Sequence, residues 1–274
     1  MNLWIGRPGA LREIQDKADS FDRSPALEVQ EFRALSGAVT TWAPPVQPRR
    51  LTLRWTAMER DDFTHLDRLA RRVDGPGPVA VLDPLSRNWL TAAQAAGTGS
   101  TGMWERNANE ITLSGGTTPY SPVTVSVDAP PPAGAVLTWV IPRWRYYPVA
   151  PGTTLTWWTP SLAAAKAPLA GGYLYWYRAD NTYLGAVAGS GTRPLVTTVP
   201  PGAAFARPGV AFTAKGSWPL GESVLAPGDL STELLDGERP PGEGTPAYSI
   251  TDYQHVAAAD ARYRDIGLDL VEVA

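Results

Sequence analysis

The sequence predicts a mainly β protein with one amphipathic helix. Its 274 residues include 26 Gly and 27 Pro, which break a chain into the short pieces that suit strands and turns. One stretch, residues 59–73, has helical periodicity. Seven short runs rich in strand formers lie between residues 103 and 227, at 110–113, 123–127, 135–141, 153–158, 173–177, 195–199 and 210–213. Such a series is typical of an antiparallel β-sandwich.

The predicted helix lies inside a strand–helix–strand unit. Its apolar residues recur at three- and four-residue spacing, at Phe63, Leu66, Leu69, Ala70 and Val73. Thr56 and Glu59 have the spacing of a capping box. Residues 50–56 alternate between apolar and polar side chains, and residues 79–82 are continuously apolar. The unit therefore needs a sheet on which one face of the helix can pack.

Two loose segments, residues 97–102 and 236–246, suggest domain boundaries. The last two predicted strands, 247–253 and 264–273, need a sheet to join, and the first block is short of strands. We therefore predict a discontinuous first domain, 1–97 with 236–274, that carries the sandwich, 98–235, as an insertion. The alternative is a plain two-domain chain in which residues 246–273 extend the sandwich.

Charge and composition exclude several classes of partner. The net charge is −3 and the pI is about 5.5, so no cationic field is available for nucleic acid. There is no cysteine, and therefore no disulfide or thiolate metal site. No apolar run approaches the length of a bilayer span, and residues 1–8 lack the pattern of an export signal. We expect neither membrane insertion nor a signal peptide.

The motifs that carry catalysis are missing from the sequence. Gly97, Gly99 and Gly102 match G-x-G-x-x-G, but they lie in a Thr- and Ser-rich stretch that we interpret as a linker. His65 has one carboxylate four residues before it, which indicates a solvated pair rather than a metal site. His255 is predicted in a polar loop. The members of a Ser-His-acid catalytic triad can lie far apart in a sequence, so their spacing neither indicates nor excludes such a triad here. We predict no enzyme activity, no cofactor and no bound metal.

Aromatic residues are concentrated in the sandwich region, with eleven Trp and Tyr between positions 139 and 183. In residues 173–177, strand alternation places Leu174 and Trp176 on one face and three tyrosines on the other. Exposed aromatic rings bind sugars because the apolar face of a pyranose stacks on them. The candidates for contact with a glycan or a neighbouring subunit are Tyr173, Tyr175, Tyr177, Trp144 and Trp158. The other interpretation is a half-exposed sheet face without a ligand.

Several segments carry a resemblance to a known family. Residues 50–55 (RLTLRW), the helix at 59–73, residues 75–84 (GPGPVAVLDP) and residues 88–90 (NWL) resemble the N-terminal domain of distal tail or minor tail proteins of long-tailed bacteriophages. Residues 263–273 (YRDIGLDLVEV) resemble the closing strand of tail-tube-like domains. Residues 149–157 (VAPGTTLTW) and 172–185 (GYLYWYRADNTYLG) are similar to carbohydrate-binding-module sandwiches.

The resemblance implies a structural virion protein. The discontinuous domain would be a tail-tube-like β-sandwich that forms a homo-oligomeric ring, commonly a hexamer, at the tail tip or baseplate. Its partners would be the tail tube and the tail hub, and it would be made in the host cytoplasm. The inserted jelly-roll sandwich would face outwards for contact with a host-surface glycan. Our ring-contact candidates are Trp4 and Trp42, and the Pro-rich segment 42–50 is a candidate for wrapping a neighbouring subunit.

Two rival functions remain open at this point. In the first, the protein is a stand-alone glycan-binding adhesin or lectin-like module, and the aromatic face is its whole function. In the second, it is a glycoside-cleaving tail enzyme, which requires two carboxylates about 5–9.5 Å apart in a cleft of the sandwich.

Overall fold

The structure is a computed structural model, and it describes residues 2–25, 29–43, 48–116, 118–132, 134–258, 260 and 262–273. The strands in chain order are β1 (Trp4–Arg7), β2 (Ala10–Glu13), β3 (Ser20–Pro25), β4 (Gln30–Arg33), β5 (Val39–Trp42), β6 (Arg49–Met58), β7 (Val79–Leu82), β8 (Trp104–Arg106), β9 (Ile111–Ser114), β10 (Thr124–Val127), β11 (Val136–Trp139), β12 (Tyr147–Pro148), β13 (Thr154–Trp158), β14 (Leu169–Tyr177), β15 (Tyr183–Gly189), β16 (Leu195–Thr198), β17 (Phe205–Phe212), β18 (Gly216–Pro219), β19 (Val224–Pro227), β20 (Ala247–Ala257) and β21 (Arg264–Glu272). The helices are α1 (Arg60–Ala70), α2 (Ala92–Ala96), α3 (Pro160–Ala164) and α4 (Ser231–Leu235).

The mainly β prediction is confirmed, because antiparallel sheets make up most of the regular structure. Helix α1 has 11 residues, and α2, α3 and α4 have 5 each. In the part of the chain that the structure describes, no helix is long and apolar enough to cross a membrane.

The chain divides into two compact units, each built from separated segments. The helix unit comprises Ile14–Val79 and Tyr248–Val273. The sandwich unit comprises the residues up to Glu13 and Ala80–Ala247. The units divide between residues 13 and 14, 79 and 80, and 247 and 248, whereas the predicted domain boundaries lie near 97 and 236.

The sheet of the helix unit has the strand order β20-β21-β6-β3. The closing strand β21 runs antiparallel to β6, with Leu268 opposite Leu53 and Ile266 opposite Trp55. All four of these side chains are buried. Strand β21 thus pairs with β6 on one side and with β20 on the other.

Helix α1 forms as predicted, but its first turn is capped differently. Thr56 belongs to β6, and the N-cap Glu59 makes no side-chain capping bond, so the predicted capping box is wrong. Instead, the carboxylate of Asp16 accepts a hydrogen bond from the Glu59 amide at 2.8 Å. Asp62 is buried and accepts a bond from the Gln15 amide at 2.8 Å. A segment remote in sequence thus supplies the cap.

The sandwich unit packs several antiparallel sheets around one core. Its largest sheet has the order β15-β14-β17-β11-β8, with β12 also paired to β17, and a second sheet has the order β16-β13-β19. Leu174 and Trp176 from the first sheet share a buried cluster with Leu155 and Trp157 from the second. The indole of Trp157 lies 4.9 Å from the ring of Trp139. Two sheets that bury their facing sides in one cluster form a sandwich.

Residues 88–97 belong to the sandwich unit because their side chains pack in its core. Trp89 and Leu90 are in the same buried cluster as Trp157. Gly97 ends α2 with a φ of 67°, in the left-handed region. A Cβ at Gly97 would lie 2.0 Å from the carbonyl oxygen of Leu220. The first glycine of G-x-G-x-x-G is therefore a helix terminus in close backbone contact and not part of a linker.

Candidate functional site

Strand β14, which lies between β15 and β17 in the largest sheet, presents a row of tyrosines on one face. In β14, Leu174 and Trp176 are buried, and Tyr173, Tyr175 and Tyr177 between and beside them are half-buried. This alternation confirms the two faces that were predicted from the sequence. The tyrosines therefore lie on the side of the sheet that faces away from the sandwich core.

The sheet beside the tyrosine row carries small residues, so the rings lie over backbone. Gly209 of β17 stands opposite Tyr173. A Cβ at Gly209 would lie 3.4 Å from Cε2 of Tyr175, and a Cβ at Gly171 would lie 3.3 Å from Cε2 of Tyr173. Each ring thus covers a glycine, which keeps the row close to the sheet.

Three charged side chains meet beside these rings. The guanidinium of Arg145 donates to both carboxylate oxygens of Glu105, with Nε 2.9 Å from Oε1 and Nη2 2.7 Å from Oε2. Nη2 of Arg207 donates to Oε2 of the same carboxylate at 2.6 Å. Arg207 stands opposite Tyr175 in the sheet, and its guanidinium lies 5.6 Å from the ring centre of Tyr146. One carboxylate therefore holds two cations against the aromatic row.

The backbone of Arg145 is strained. Its φ is 65°, a left-handed conformation that non-glycine residues rarely adopt. Such a conformation costs about 1–3 kcal/mol and persists only where surrounding contacts impose it. Here the two-pronged bond to Glu105 supplies such a contact. We call the whole surface the tyrosine face; its residues are Tyr173, Tyr175, Tyr177, Tyr146, Arg207, Glu105 and Arg145.

The hydroxyl groups of Tyr175 and Tyr177 stay protonated at neutral pH. Burial raises the pKa of Tyr175 to about 12, and the neighbouring tyrosines add to this while Arg207 opposes it. The pKa of Tyr177 is also raised, first by burial and then by Tyr146, whose ring stacks on it at 4.2 Å. These phenols can therefore donate as well as accept hydrogen bonds.

The two tryptophan candidates have different positions. Trp158 is 8% exposed, packs with Val224 and Leu234, and lies 5.3 Å from the guanidinium of Arg239. Trp158 is therefore a core residue. Its prediction as a binding residue is wrong, because apolar side chains and an arginine already cover its ring. Trp144 is half-buried and lies 6.5 Å from Phe205, at the margin of the tyrosine face.

Of the two ring-contact candidates, Trp4 is half-buried in β1. It packs against the sandwich core. It also lines a shallow cavity of about 310 Å³ together with Asn2, Glu13, Thr153 and Gly228. Its role in a subunit contact stays a prediction.

Trp42 lies in an exposed two-stranded hairpin formed by β4 and β5. All eight residues of these strands are exposed. Phe32 is 57% exposed and Trp42 is 53% exposed. Phe32 pairs with Thr40, and Trp42 pairs with Gln30, so both rings project from the same face of the hairpin. In the segment 42–50, which was predicted to wrap a neighbour, residues 44–47 lie outside the described part of the chain.

His255 lies in β20, so the prediction of a polar loop is wrong. Its Nδ1 atom is 3.7 Å from Oδ1 of Asp67 on α1, and its ring contacts Phe63 and Tyr253 edge-on. Burial raises the pKa of Tyr253 to about 12, and the negative charge of Asp67 is the second cause of this shift. This cluster joins α1 to the sheet of the helix unit. Among the described residues, no group of three or more His, Asp or Glu side chains is placed to hold a metal.

The charged residues of the tyrosine face were not predicted from the sequence. Arg207 is the one charged residue in β17, whose other residues are apolar or small, and that position could have marked it. No comparable sequence feature marks Glu105 and Arg145 as a pair, because 40 positions separate them in the sequence.

Comparison with known proteins gives weak matches of fold. No protein-family model matches the chain, and no curated protein matches it. One similar solved structure is the enzymatically active domain of bacteriophage CBA120 tailspike protein 4, at 16% identity and a TM-score of 0.36 over 51% of this chain. The match spans 21% of the tailspike chain, about a fifth of its length. Its activity is therefore a property of a longer protein.

A second similar structure belongs to a study of promiscuous specificity in carbohydrate-binding modules of the β-sandwich superfamily. The identity is 10% and the TM-score is 0.20, over 99% of this chain and 86% of that chain. Neither likeness carries an argument about function, so the site has to be interpreted from its own geometry.

Proposed function

We propose that this protein is a non-catalytic structural component of a phage tail that binds saccharide through the tyrosine face. The observation that carries the binding role is the row Tyr173, Tyr175 and Tyr177 beside the Arg207–Glu105 ion pair. The tail role rests on the resemblance of residues 50–90 and 263–273 to distal tail proteins. The pairing of β21 with β6 supports that role, because the family's closing strand is expected to return to the first block.

The chemistry of the tyrosine face suits a sugar. A pyranose offers an apolar face and a rim of hydroxyl groups, and it binds where aromatic rings lie next to planar polar groups. Here half-buried phenol rings adjoin one carboxylate and two guanidinium groups. Packing over Gly171 and Gly209 explains where two rings lie, but it does not require an ion-paired arginine beside them.

The same geometry favours binding over bond cleavage. The six strands of this sheet, all within the described residues, contain one carboxylate, Glu105. The guanidinium groups of Arg145 and Arg207 already donate hydrogen bonds to both of its oxygens. Glycoside cleavage needs one carboxyl group that can donate a proton and a second as base or nucleophile. Glu105 is therefore suited to recognising hydroxyl groups.

Removing one ring of the tyrosine face is expected to weaken saccharide binding. Tyr175→Ala should reduce the affinity for a glycan that the wild type binds by about tenfold or more, because a stacking surface is lost. Tyr175→Phe keeps the ring and should retain most of the affinity. The measurement is a glycan-array screen followed by calorimetric titration of the best ligand.

The matched control is Tyr120→Ala. Tyr120 is 77% exposed and lies between β9 and β10, outside the largest sheet. Its removal should leave the affinity unchanged. Equal losses from Tyr175→Ala and Tyr120→Ala, or no glycan binding by the wild type, would contradict the proposed binding role.

A second candidate function, assembly into a ring, is favoured by the β4–β5 hairpin. An isolated hairpin with two exposed rings on one face is stable when a further surface covers it. We propose that a neighbouring copy of this chain provides that surface, in the closed ring of about six subunits that the resemblance implies. The stand-alone adhesin, in contrast, requires a monomer.

Replacing both exposed rings of the hairpin is expected to dissociate the assembly. Phe32→Ser with Trp42→Ser should convert the oligomer to a monomer, as measured by light scattering coupled to size exclusion. Val39→Ser is the control, since Val39 is 51% exposed but projects from the opposite face. A monomeric wild type would rule out the ring and favour the adhesin.

A further inference from the structure

We infer that the tyrosine face selects saccharides that bear a carboxylate, and that the outer edge of the Arg145 guanidinium binds this carboxylate. The inference rests on the saccharide-binding function proposed above and adds the chemical class of the ligand. It is carried by the charge of the tyrosine face and by the geometry of Arg145.

The tyrosine face has an excess of positive charge, although the whole chain carries −3. The strands of the sheet contain three charged residues, Arg207, Glu105 and Arg106. Arg106 alternates with Glu105 in β8 and donates to the carbonyl of Ile111, so it belongs to the other side of the sheet. With Arg145 added, two cations face one anion. The face therefore attracts anionic ligands more than neutral ones.

Arg145 uses only one of its two hydrogen-bonding edges. Its Nε and Nη2 atoms form the side-on pair with Glu105. Among the residues that the structure describes, no acceptor bonds to its Nη1 atom, and the side chain is 60% exposed. The edge formed by Nη1 and Nη2 is therefore open to a second carboxylate, which an arginine can bind with two parallel bonds.

The position of this edge is fixed. Glu105 is itself held by Arg207, whose side chain is 15% exposed. Arg145 has a left-handed backbone, and two hydrogen bonds hold its guanidinium against Glu105. An arginine that is already ordered loses less entropy on binding than a free one. A sugar that lies along the tyrosine row can thus place a ring carboxylate on this edge.

The test compares acidic oligosaccharides with their carboxyl-reduced forms. The probes are tetrasaccharides of galacturonate, alternating glucuronate chains and sialyl oligosaccharides, each paired with the neutral sugar made by reducing its carboxylate. We expect wild-type protein to bind at least one acidic member about tenfold or more tightly than its reduced partner. The preference should fall as sodium chloride is raised from about 0.05 to 0.5 M.

Variants of Arg145 assign the preference to its open edge. Arg145→Gln should abolish the preference, so that the acidic member binds no more tightly than its reduced partner. Arg145→Lys keeps the positive charge but loses the two parallel hydrogen bonds that a guanidinium can form, so it should recover part of the preference. Arg72→Gln removes the same charge from the turn that follows α1, in the helix unit, and should change nothing. Thermal unfolding of each variant checks that the fold is retained.

The outcomes separate this inference from the proposed function. Equal binding of acidic and reduced members overturns the carboxylate preference and leaves saccharide binding intact. If Arg145→Gln keeps the preference for the acidic member, the ligand's carboxylate binds at another residue, and the role of Arg145 is overturned. No binding to any saccharide overturns the proposed function and this inference together.

Discussion

Replacing Asn88 with leucine is expected to lower the free energy of unfolding by about 4 kcal/mol. Asn88 is fully buried, and its amide nitrogen donates to the carbonyls of Ser223 and Pro240 at 2.9 and 3.0 Å. Its amide oxygen accepts from the backbone of Leu90 and Leu225 at 3.2 and 3.1 Å. Leucine has a similar size but pairs with none of these groups, and each unpaired buried group costs about 1–3 kcal/mol. Urea denaturation measures the loss.

The control for this prediction is Asn107→Leu. Asn107 also makes two hydrogen bonds to the backbone, to Val136 at 2.7 Å and to Gly134 at 2.9 Å. The residue is exposed, so water replaces the lost partners, and the expected loss is below about 1 kcal/mol. Similar losses at the two positions would show that the burial of Asn88 is not the source of its effect.

Replacing Gly97 with alanine is expected to cost at least about 3 kcal/mol. The left-handed backbone accounts for about 1 kcal/mol of this. The larger part comes from the new Cβ, which would lie 2.0 Å from the carbonyl oxygen and 2.2 Å from the carbonyl carbon of Leu220. Backbone atoms on both sides have to move apart, which disturbs the end of α2. The readout is the midpoint and slope of urea denaturation.

Gly152 provides the matched control within the sandwich unit. Its φ is 82°, but no atom lies within 4 Å of the position that a Cβ would occupy. Gly152→Ala therefore carries the backbone cost alone, about 1 kcal/mol. If Gly97→Ala were no worse than Gly152→Ala, the close approach to Leu220 would not be what requires glycine at position 97.

Strong periodicity made parts of the fold predictable. Leu51, Leu53 and Trp55 alternate with polar residues, and this pattern was sufficient to predict β6 and its buried face. The hairpin was missed because β4 and β5 are short, exposed strands, so no buried side exists to produce a pattern. Strand β15 was missed because it is made largely of Gly and Ala, which have low strand propensity.

The unit boundaries depend on contacts that are distant in sequence. Asn88 bonds to residues 135 and 152 positions away, and nothing in residues 88–97 indicates those partners. The tyrosine row was predicted because alternation within one strand is a local property. The ion pairs at Glu105 were not predicted, because they depend on the strand order that brings β8 and β17 into the same sheet. Alternation within a strand does not determine that order.

The partnership of β6 and β21 has a consequence for biosynthesis. Arg54 and Asp269, which bond across this pair at 2.9 Å, are 215 positions apart. A ribosome therefore releases β6 long before its neighbour, and Ala80–Ala247 can collapse around their own core in the interval. Until β21 has been synthesised, the buried side of β6 lacks this partner. The sheet of the helix unit is thus completed only after residues 80–247 have been synthesised, so the sandwich can fold before β21 joins β6.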